Sequence, residues 1–254
     1  MNVAMTLRRF GMRPVLLSTI GQDDEGNALI AAARNLGLET DYIYRSGDLP
    51  TDRYMAVEGA NGLIAAIADA HSLEAAGDKI LLPLADGRLG SKSAPYEGAV
   101  ALDGNLTEAL LAEIATSPLF ARADLRVAPA SPGKAERLQP LLAMRNATIY
   151  LNLEEAGLLC QASFANTSEA ARALLDRGAA RALVTDGGKA AALACPDGII
   201  TADPPAVLVT RVTGAGDTFM AAHIAADTRG DTRTEALINA LQAAANYVSG
   251  DVPS

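Results

Sequence analysis

Short apolar runs alternate with longer helical patterns along most of this chain. The strand-like runs are residues 14–20, 99–102, 125–128, 147–151 and 182–185, and the helical patterns are residues 26–36, 106–115, 134–144, 168–177, 217–226 and 234–249. Strands that alternate with helices form parallel sheets, because each helix carries the chain back across one face of the sheet. We therefore predict an α/β fold with a doubly wound, mostly parallel sheet.

Residues 53–83 interrupt this alternation. The extended runs 54–57 and 63–67 flank Asn61-Gly62, a dipeptide that favours the tight turn of a β-hairpin. In an otherwise α/β chain, such an insert is either a small β lid over a site or a simple surface hairpin, and the periodicity fits both. No linker or repeat divides the sequence, so we expect residues 1–254 to form one domain that carries this insert.

The charge of the chain limits its partners. Lysine and arginine number 21, aspartate and glutamate number 30, and the formal net charge is −9. An acidic surface argues against nucleic-acid binding, whose affinity comes mostly from neutralised phosphates. A phosphate-bearing ligand must therefore be held locally, by backbone amides, a metal ion or a few placed cations.

The cysteines and the hydropathy pattern indicate a compartment. Cys160 and Cys195 lie in apolar stretches without the spacing of metal ligands, so we expect free thiols in a reducing environment. No apolar run is long enough to cross a membrane. We therefore expect a cytoplasmic protein without a membrane partner.

The Thr213-Gly214-Ala215-Gly216-Asp217 stretch is the most informative motif. A strand-like run, residues 206–209, precedes it and a helical pattern follows it, so the turn is predicted at a helix N-terminus. Glycine lets the backbone approach a ligand closely, and free amides together with the helix dipole favour an anion there. An aspartate at this point either accepts a proton from a hydroxyl held beside a phosphate or merely caps the helix.

The motif resembles the signature of the ribokinase-like carbohydrate kinases, the phosphofructokinase-B type family. The resemblance implies a ribokinase-like fold, ATP and Mg²⁺ as cofactors, and phosphoryl transfer to a hydroxyl of a small sugar or nucleoside. It makes Asp217 the catalytic base. It also makes the amides of Gly214, Ala215 and Gly216 the anion hole for the transferred group.

Two further motifs follow predicted strands in the order that the family shows. Asn152 and Glu155 resemble its Asn-x-x-Glu, and the resemblance assigns them to Mg²⁺, through water, and to phosphate positioning. Asparagine followed by an acid is also an ordinary helix start. Thr185 and Gly187 resemble the turn beside the nucleotide, where glycine lets the backbone approach ATP, and a plain glycine turn is the alternative.

The resemblance also places residues near the substrate. Asp23, within the segment 21–26, either lines the substrate side of the pocket or simply starts a helix. Asn2 matches an Asn-x-Ala motif at a helix start. In the family a strand and a Gly-Gly pair come before that motif, so the resemblance predicts a fragment or a misplaced start, with a lineage that lacks the strand as the alternative.

Three segments are similar to those of pseudouridine kinases within the family, namely residues 65–69, 102–106 and 128–135. Asp69 and Asn105 in these segments are further predicted substrate-binding residues, since such side chains pair with sugar hydroxyls. Pseudouridine is therefore the predicted substrate, with another sugar such as ribose as the alternative. A different class of function is a catalytically silent ligand-binding or interaction protein on the same scaffold. A dehydrogenase is disfavoured, because no Gly-x-Gly-x-x-Gly follows a strand.

One position departs from the family. Most members have an aspartate two residues before the motif threonine, where it helps to bind a monovalent cation, and this chain has Arg211. A guanidinium there would either replace K⁺ as the positive charge, or point to solvent or pair with a surface acid. The lid hairpin would also allow a homodimer. His71 and His223, interpreted as a loop residue and a helix residue, are not expected to bind a metal.

Overall fold

The centre of the fold is a six-stranded sheet in a computed structural model that describes residues 1–59 and 62–250. The strand order is β10-β9-β8-β7-β6-β5. The parallel strands are β5 (Ala99–Asp103), β6 (Asp124–Ala128), β7 (Ala147–Asn152) and β8 (Arg181–Asp186), followed by the antiparallel β9 (Lys189–Cys195) and β10 (Gly198–Ala202). This arrangement confirms the predicted mostly parallel sheet.

Helices cover both faces of this sheet, as a doubly wound fold requires. The helices are α1 (Asn2–Arg9), α2 (Asp24–Asn35), α3 (His71–Ala76), α4 (Leu82–Ala85), α5 (Glu108–Thr116), α6 (Leu153–Cys160), α7 (Thr167–Asp176), α8 (Ala215–Arg229) and α9 (Arg233–Ser249). One apolar core lies between the sheet and α5, α6 and α7. A second core lies under α1, α8 and α9, where Leu7 packs with Phe219 and Met220.

Two small sheets lie outside the central one. Strand β1 (Thr19–Gly21) pairs in parallel with β2 (Tyr44–Ser46), and α2 connects them. Strands β3 (Tyr54–Gly59) and β4 (Gly62–Ala68) form the antiparallel hairpin that the sequence predicts. Asn61, the first residue of the predicted Asn-Gly turn, lies outside the described residues.

Proline explains why one predicted α-helix is wrong. Residues 134–144 do not form an α-helix; the chain has a 3₁₀ helix at Pro132–Leu141 instead. Pro140 lies inside this segment, where it has no amide to donate and would clash with the preceding turn of an α-helix. The apolar periodicity of these residues carries no information about the effect of proline, so it predicted an α-helix.

Strand partners explain two further differences. The predicted strand 206–209 pairs with no other strand of the described chain, and the side chain of Leu208 is 82% exposed. The predicted strand 14–20 is shortened to Thr19–Gly21, with only an isolated bridge between Val15 and Glu39 before it. Apolar composition favours extended backbone, but a ladder forms only where a neighbouring strand accepts its hydrogen bonds.

The structure also places the cysteines and the histidines. Cys160 and Cys195 are buried free thiols. His71, interpreted as a loop residue, is instead the first residue of α3, whereas His223 lies in α8 as expected. None of the helices in the described part of the chain is long and apolar enough to cross a bilayer.

A buried polar cluster fastens α8 to the sheet. Asp227, near the end of α8, accepts hydrogen bonds from Arg181 of β8, 2.6 Å between Nη2 and Oδ2, and from Arg126 of β6. Burial alone would raise the pKa of Asp227, but the hydrogen bonds from the two arginines outweigh it and lower that pKa to about 2. The carboxylate is therefore charged and shared between two strands.

Tyr150 and His223 extend this cluster into the core. Arg126 donates Nη1 to the Tyr150 hydroxyl at 3.1 Å, and that hydroxyl lies 2.8 Å from Nδ1 of His223. Because a guanidinium can only donate, Tyr150 must donate its own hydrogen to Nδ1, which leaves the proton of the neutral imidazole on Nε2. Burial, together with Arg181, lowers the pKa of His223 to about 3, so the ring is neutral at physiological pH.

Candidate active site

The carboxyl ends of the parallel strands bring several predicted residues to one edge of the central sheet. Asn152 ends β7 and is the register partner of Thr185 near the end of β8. Asn105 follows β5, two strands away. Ligands of open α/β sheets bind at this edge, where loops rather than hydrogen-bonded strands meet solvent.

Helix α8 runs antiparallel to β7, which brings the N-terminus of α8 to the same edge. Arg181 bridges Thr148 at the start of β7 and Asp227 near the end of α8, and Tyr150 meets His223 midway. From Tyr150 the strand advances about 7 Å to Asn152. From His223 the helix steps back about 9 Å to Asp217. The motif therefore faces the strand ends.

The glycine-rich turn begins α8 with free amides. Gly214 has φ +92°, a left-handed conformation that favours glycine. The amide of Ala215, predicted for the anion hole, already donates to the Val212 carbonyl at 3.0 Å. Within the described chain the amides of Gly214, Gly216 and Asp217 donate to no acceptor. A Cβ on Gly216 would meet nothing within 4 Å, so the space beside these amides is open.

Asp217 has one carboxylate oxygen held and the other available. Helix α1 packs beside α8, and Nδ2 of Asn2 donates to Oδ2 of Asp217 at 2.9 Å. Among the described residues no donor reaches Oδ1. An amide donor holds the carboxylate in one orientation, and the remaining oxygen can accept a proton from a hydroxyl. The structure thus joins two predicted residues that are 215 positions apart.

Asn152 and Glu155 form a reciprocal capping box at the start of α6. Asn152 Oδ1 accepts from the Glu155 amide and Glu155 Oε2 accepts from the Asn152 amide, both at 2.8 Å. Burial raises the pKa of the Glu155 carboxyl, with Glu154 adding to the effect. A partly buried carboxylate that has no cationic partner in the described structure fits the outer shell of a hydrated cation.

The donor set suits Mg²⁺ held through water. The described residues contain no group of three or more histidine, cysteine, aspartate or glutamate side chains that would hold a metal directly. Oxygen ligands of the Asn152 and Glu155 type suit Mg²⁺, which keeps several of its waters. The residues therefore fit a magnesium ion bound mainly to waters and phosphates.

The segment predicted to lie beside the nucleotide, Thr185 to Gly187, leads into an open turn between β8 and β9. Gly187 has φ +54°, and a Cβ there would meet nothing within 4 Å. Lys189 forms an ion pair with Asp186 at 2.8 Å. The turn therefore leaves room for a ligand to approach the backbone beside Thr185.

Asn105 lies in a loop braced by two cations. Lys134 donates Nζ to Asn105 Oδ1 at 2.6 Å, which joins the loop after β5 to the segment after β6. Arg137 donates Nη1 to Glu74 at 2.9 Å and to the carbonyl of Gly104 at 3.3 Å. The backbone amide of Asn105 donates to Asp103 Oδ1 at 2.8 Å, whereas its side-chain nitrogen Nδ2 has no acceptor among the described residues and remains available to a ligand hydroxyl.

Asp23 and Asp69 have local partners instead. Asp23 caps α2 and accepts hydrogen bonds from the hydroxyl and the amide of Thr51, and these bonds lower its pKa to about 2. Asp69 Oδ1 lies 2.6 Å from His71 Nδ1. No hydrogen bond in the described structure links either carboxylate to Asn2 or Asp217. The helix-start alternative for Asp23 accounts for its contacts.

Arg211 has partners that sequence reasoning missed. Its Nε donates to the backbone carbonyl of Tyr247 at 2.7 Å, and its guanidinium carbon lies 3.9 Å from the centre of the Tyr247 ring. It forms no ion pair with a described acid, contrary to the surface-pair alternative. No local signal marks Tyr247, since it comes from α9, which is distant in the sequence.

Comparisons with known proteins show the family and the fold of the chain. Residues 1–250 match the model of the pfkB family of carbohydrate kinases, and the chain belongs to that family. Its fold is ribokinase-like, and family membership places it among the sugar and nucleoside kinases of this type. No curated protein sequence matches the chain.

Three solved structures illustrate the likeness. A carbohydrate kinase from Agrobacterium tumefaciens is 25% identical, with a TM-score of 0.81 over 100% of this chain and 81% of that chain. The ribokinase of Thermotoga maritima is 21% identical, with a TM-score of 0.80 over 100% and 82% of the two chains. The ribokinase of Arabidopsis thaliana, solved with ribose and ATP, is 22% identical, with a TM-score of 0.80 over 100% and 80%.

Proposed function

We propose that this chain transfers a phosphoryl group from ATP to a hydroxyl of a sugar or nucleoside, with pseudouridine as the first candidate. The observation that carries the proposal is the start of α8. There Asp217 has one oxygen held by Asn2 and the other open, beside unbonded backbone amides. A base and an anion-binding turn at one point are what hydroxyl phosphorylation needs.

Each residue of the site has a separate role in the proposed phosphoryl transfer. Asp217 accepts the proton of the acceptor hydroxyl through its open oxygen. The amides of Gly214, Gly216 and Asp217 hold negative charge on the transferred group, aided by the positive end of the helix dipole. The turn at Gly187 lies against the nucleotide. Mg²⁺, when bound near Asn152 and Glu155, neutralises phosphate charge. Little covalent chemistry is required, since phosphoryl transfer depends mostly on positioning and electrostatics.

Pseudouridine is proposed from sequence segments that the fold brings together. The Lys134–Asn105 contact joins segment 102–106 to segment 128–135 at the carboxyl edge of the sheet. Both segments are similar to those of pseudouridine kinases. The side-chain nitrogen Nδ2 of Asn105 would donate to a ribose-type hydroxyl.

The test is a substrate panel with the purified full chain. ATP and Mg²⁺ are supplied with pseudouridine, uridine, ribose or adenosine, and each phosphorylated product is identified and quantified by mass spectrometry. Phosphorylation of pseudouridine above the others supports the proposal in full. Preference for another acceptor refutes the substrate but keeps the kinase. ATP binding without transfer to any acceptor contradicts catalysis and supports the silent alternative.

The hairpin β3–β4 is proposed as a lid that also joins two copies of the chain. Tyr54 and Met55 at its base are 63% and 60% exposed, which leaves apolar surface available for a partner. Light scattering on the full chain should give the mass of a dimer. A monomer at all working concentrations would contradict the dimer.

A further inference from the structure

Tyr247, near the end of α9, touches the glycine-rich turn directly. Its hydroxyl donates to the backbone carbonyl of Thr213 at 2.9 Å. A Cβ added to Gly214 would lie 2.5 Å from the same hydroxyl. Gly214 is therefore required for two reasons, its positive φ and the close approach of Tyr247.

This hydrogen bond sets the direction of an amide. In a trans peptide the carbonyl and the following N–H point in opposite directions across one plane. Because the Thr213 carbonyl points to Tyr247, the Gly214 N–H must point away from α9. That amide is one of the three at the turn that have no acceptor among the described residues.

Arg211 in turn holds Tyr247. Its Nε donates to the Tyr247 carbonyl, and its guanidinium stacks on the Tyr247 ring, an arrangement that favours a cation. The amides of Thr210 and Arg211 both donate to the Val248 carbonyl, at 2.8 Å and 3.2 Å. A fixed positive charge at the C-terminal end of a helix is itself stabilising. The chain entering the motif is thus fastened to the end of α9.

We propose that Arg211 and Tyr247, here called the clasp, position the Gly214 amide for the transferred phosphoryl group. Tyr247 is a positioning residue, since it acts through the Thr213–Gly214 peptide and touches no reacting atom. Arg211 locks the tyrosine ring in place. The inference rests on the proposed function of the turn and adds two residues to the machinery of that site.

Hydrogen exchange tests the clasp without any catalysis. Tyr247→Phe keeps the ring and removes only the hydroxyl. Tyr42→Phe is the matched control, because the guanidinium carbon of Arg88 also lies over the Tyr42 ring, 6.0 Å from its centre, but far along the chain from the motif. The amides of Ala215 and Thr218, which donate to Val212 and Gly214, should exchange about fivefold faster in Tyr247→Phe, since one hydrogen bond is lost. Tyr42→Phe should match the unmodified chain.

Steady-state kinetics distinguish a role of Tyr247 in positioning the Gly214 amide from a role in the stability of the fold alone. In Tyr247→Phe kcat should fall about fivefold, with KM for the acceptor unchanged, because the amide acts on the transferred group. Arg211→Gln should behave like Tyr247→Phe, and Arg211→Lys should restore most of the rate. Unchanged exchange at Ala215 and Thr218, or faster exchange with unchanged kcat, would overturn the clasp.

Inorganic phosphate distinguishes failure of the clasp from failure of the proposed function. If the unmodified chain phosphorylates no acceptor, the proposed function fails, and phosphate titration followed by amide NMR takes the place of kinetics. Weaker phosphate binding by Tyr247→Phe than by Tyr42→Phe supports the clasp even then. Equal binding overturns it.

Discussion

The two ends of α8 are built in opposite ways. From its middle to its C-terminal end the helix is bonded to the sheet, since His223 accepts a hydrogen bond from Tyr150 and Asp227 is shared by Arg126 and Arg181. The N-terminal end has a left-handed glycine, unbonded amides and a carboxylate with a single donor, Asn2. One rigid element thus joins a closed, buried cluster to an open, polar turn.

The difference shows how such a site is kept both open and in place. Unbonded amides and a half-free carboxylate contribute little to stability, yet they are what a phosphoryl group and a hydroxyl require. The buried cluster supplies the attachment that the turn lacks. A packed helix transmits that attachment, because its length per residue is fixed. We therefore expect mutations at the two ends to affect different properties.

The largest stability effect should come from Asp227→Asn. It leaves Arg181, whose side chain is 21% exposed, without a carboxylate, and it leaves the buried Arg126 with Asp124 as its remaining acid. Removing one partner of a buried ion pair costs about 3 kcal/mol or more. Urea unfolding should show this loss, whereas Asp41→Asn, in an exposed pair with Arg34, should change the free energy of unfolding by about 0.5 kcal/mol or less. An equal loss of unfolding free energy in Asp227→Asn and Asp41→Asn would show that the buried cluster stabilises the fold no more than an ordinary surface pair does.

The second largest expected effect is the pH dependence of the free energy of unfolding that His223 of the buried cluster causes. His223 has a folded pKa of about 3 because of burial, while an unfolded histidine titrates near 6.5. Between these values the unfolded chain binds a proton that the folded chain does not, so stability falls as the pH falls. The loss attributable to His223 should be about 2 kcal/mol from pH 7.5 to pH 5.

The two histidines of the chain provide variant and control for this pH dependence. His223→Asn should flatten the pH profile of the free energy of unfolding. His71→Asn, at an exposed side chain, should keep it steep. An unchanged slope in His223→Asn would contradict the neutral, buried state assigned to the ring.

The smallest effect concerns cation dependence at the open end. Since Arg211 already supplies a fixed cation beside the turn, K⁺ should change the rate of the unmodified enzyme no more than a bulky inert cation at equal ionic strength. Arg211→Asp should lower activity without K⁺ and restore activation when K⁺ is added. Strong K⁺ activation of the unmodified enzyme would show that Arg211 does not replace the ion.

The sequence predicted elements well where local pattern and tertiary context agree. Alternating strands and helices indicated the mostly parallel sheet. The local sequence pattern gave wrong secondary structure where a distant strand partner or a single residue determines the backbone conformation. Residues 206–209 are apolar but have no strand beside them, and Pro140 converts an α-helical pattern into a 3₁₀ helix.

The site was predicted by residue type but not by contact. The Asn2–Asp217 bond joins residues 215 positions apart, the hydrogen bonds of the clasp join residues 34 and 36 positions apart, and no spacing rule connects either set. One signal for the buried cluster was present, since Arg126 lies in a mostly apolar strand and a buried guanidinium needs an acid, which Asp124 of the same strand supplies in part. Its second acid, Asp227, could be found only once α8 was placed on the sheet.

Asp217→Asn tests the central claim that the open end of α8 is where phosphoryl transfer occurs. The substitution keeps the size of the side chain and removes its basicity. The free energy of unfolding and the Kd for ATP should stay as in the unmodified chain, while kcat should fall by about 100-fold or more. Turnover close to that of the unmodified enzyme would show that Asp217 is not the base, and with it that the open end of α8 is not the reaction site.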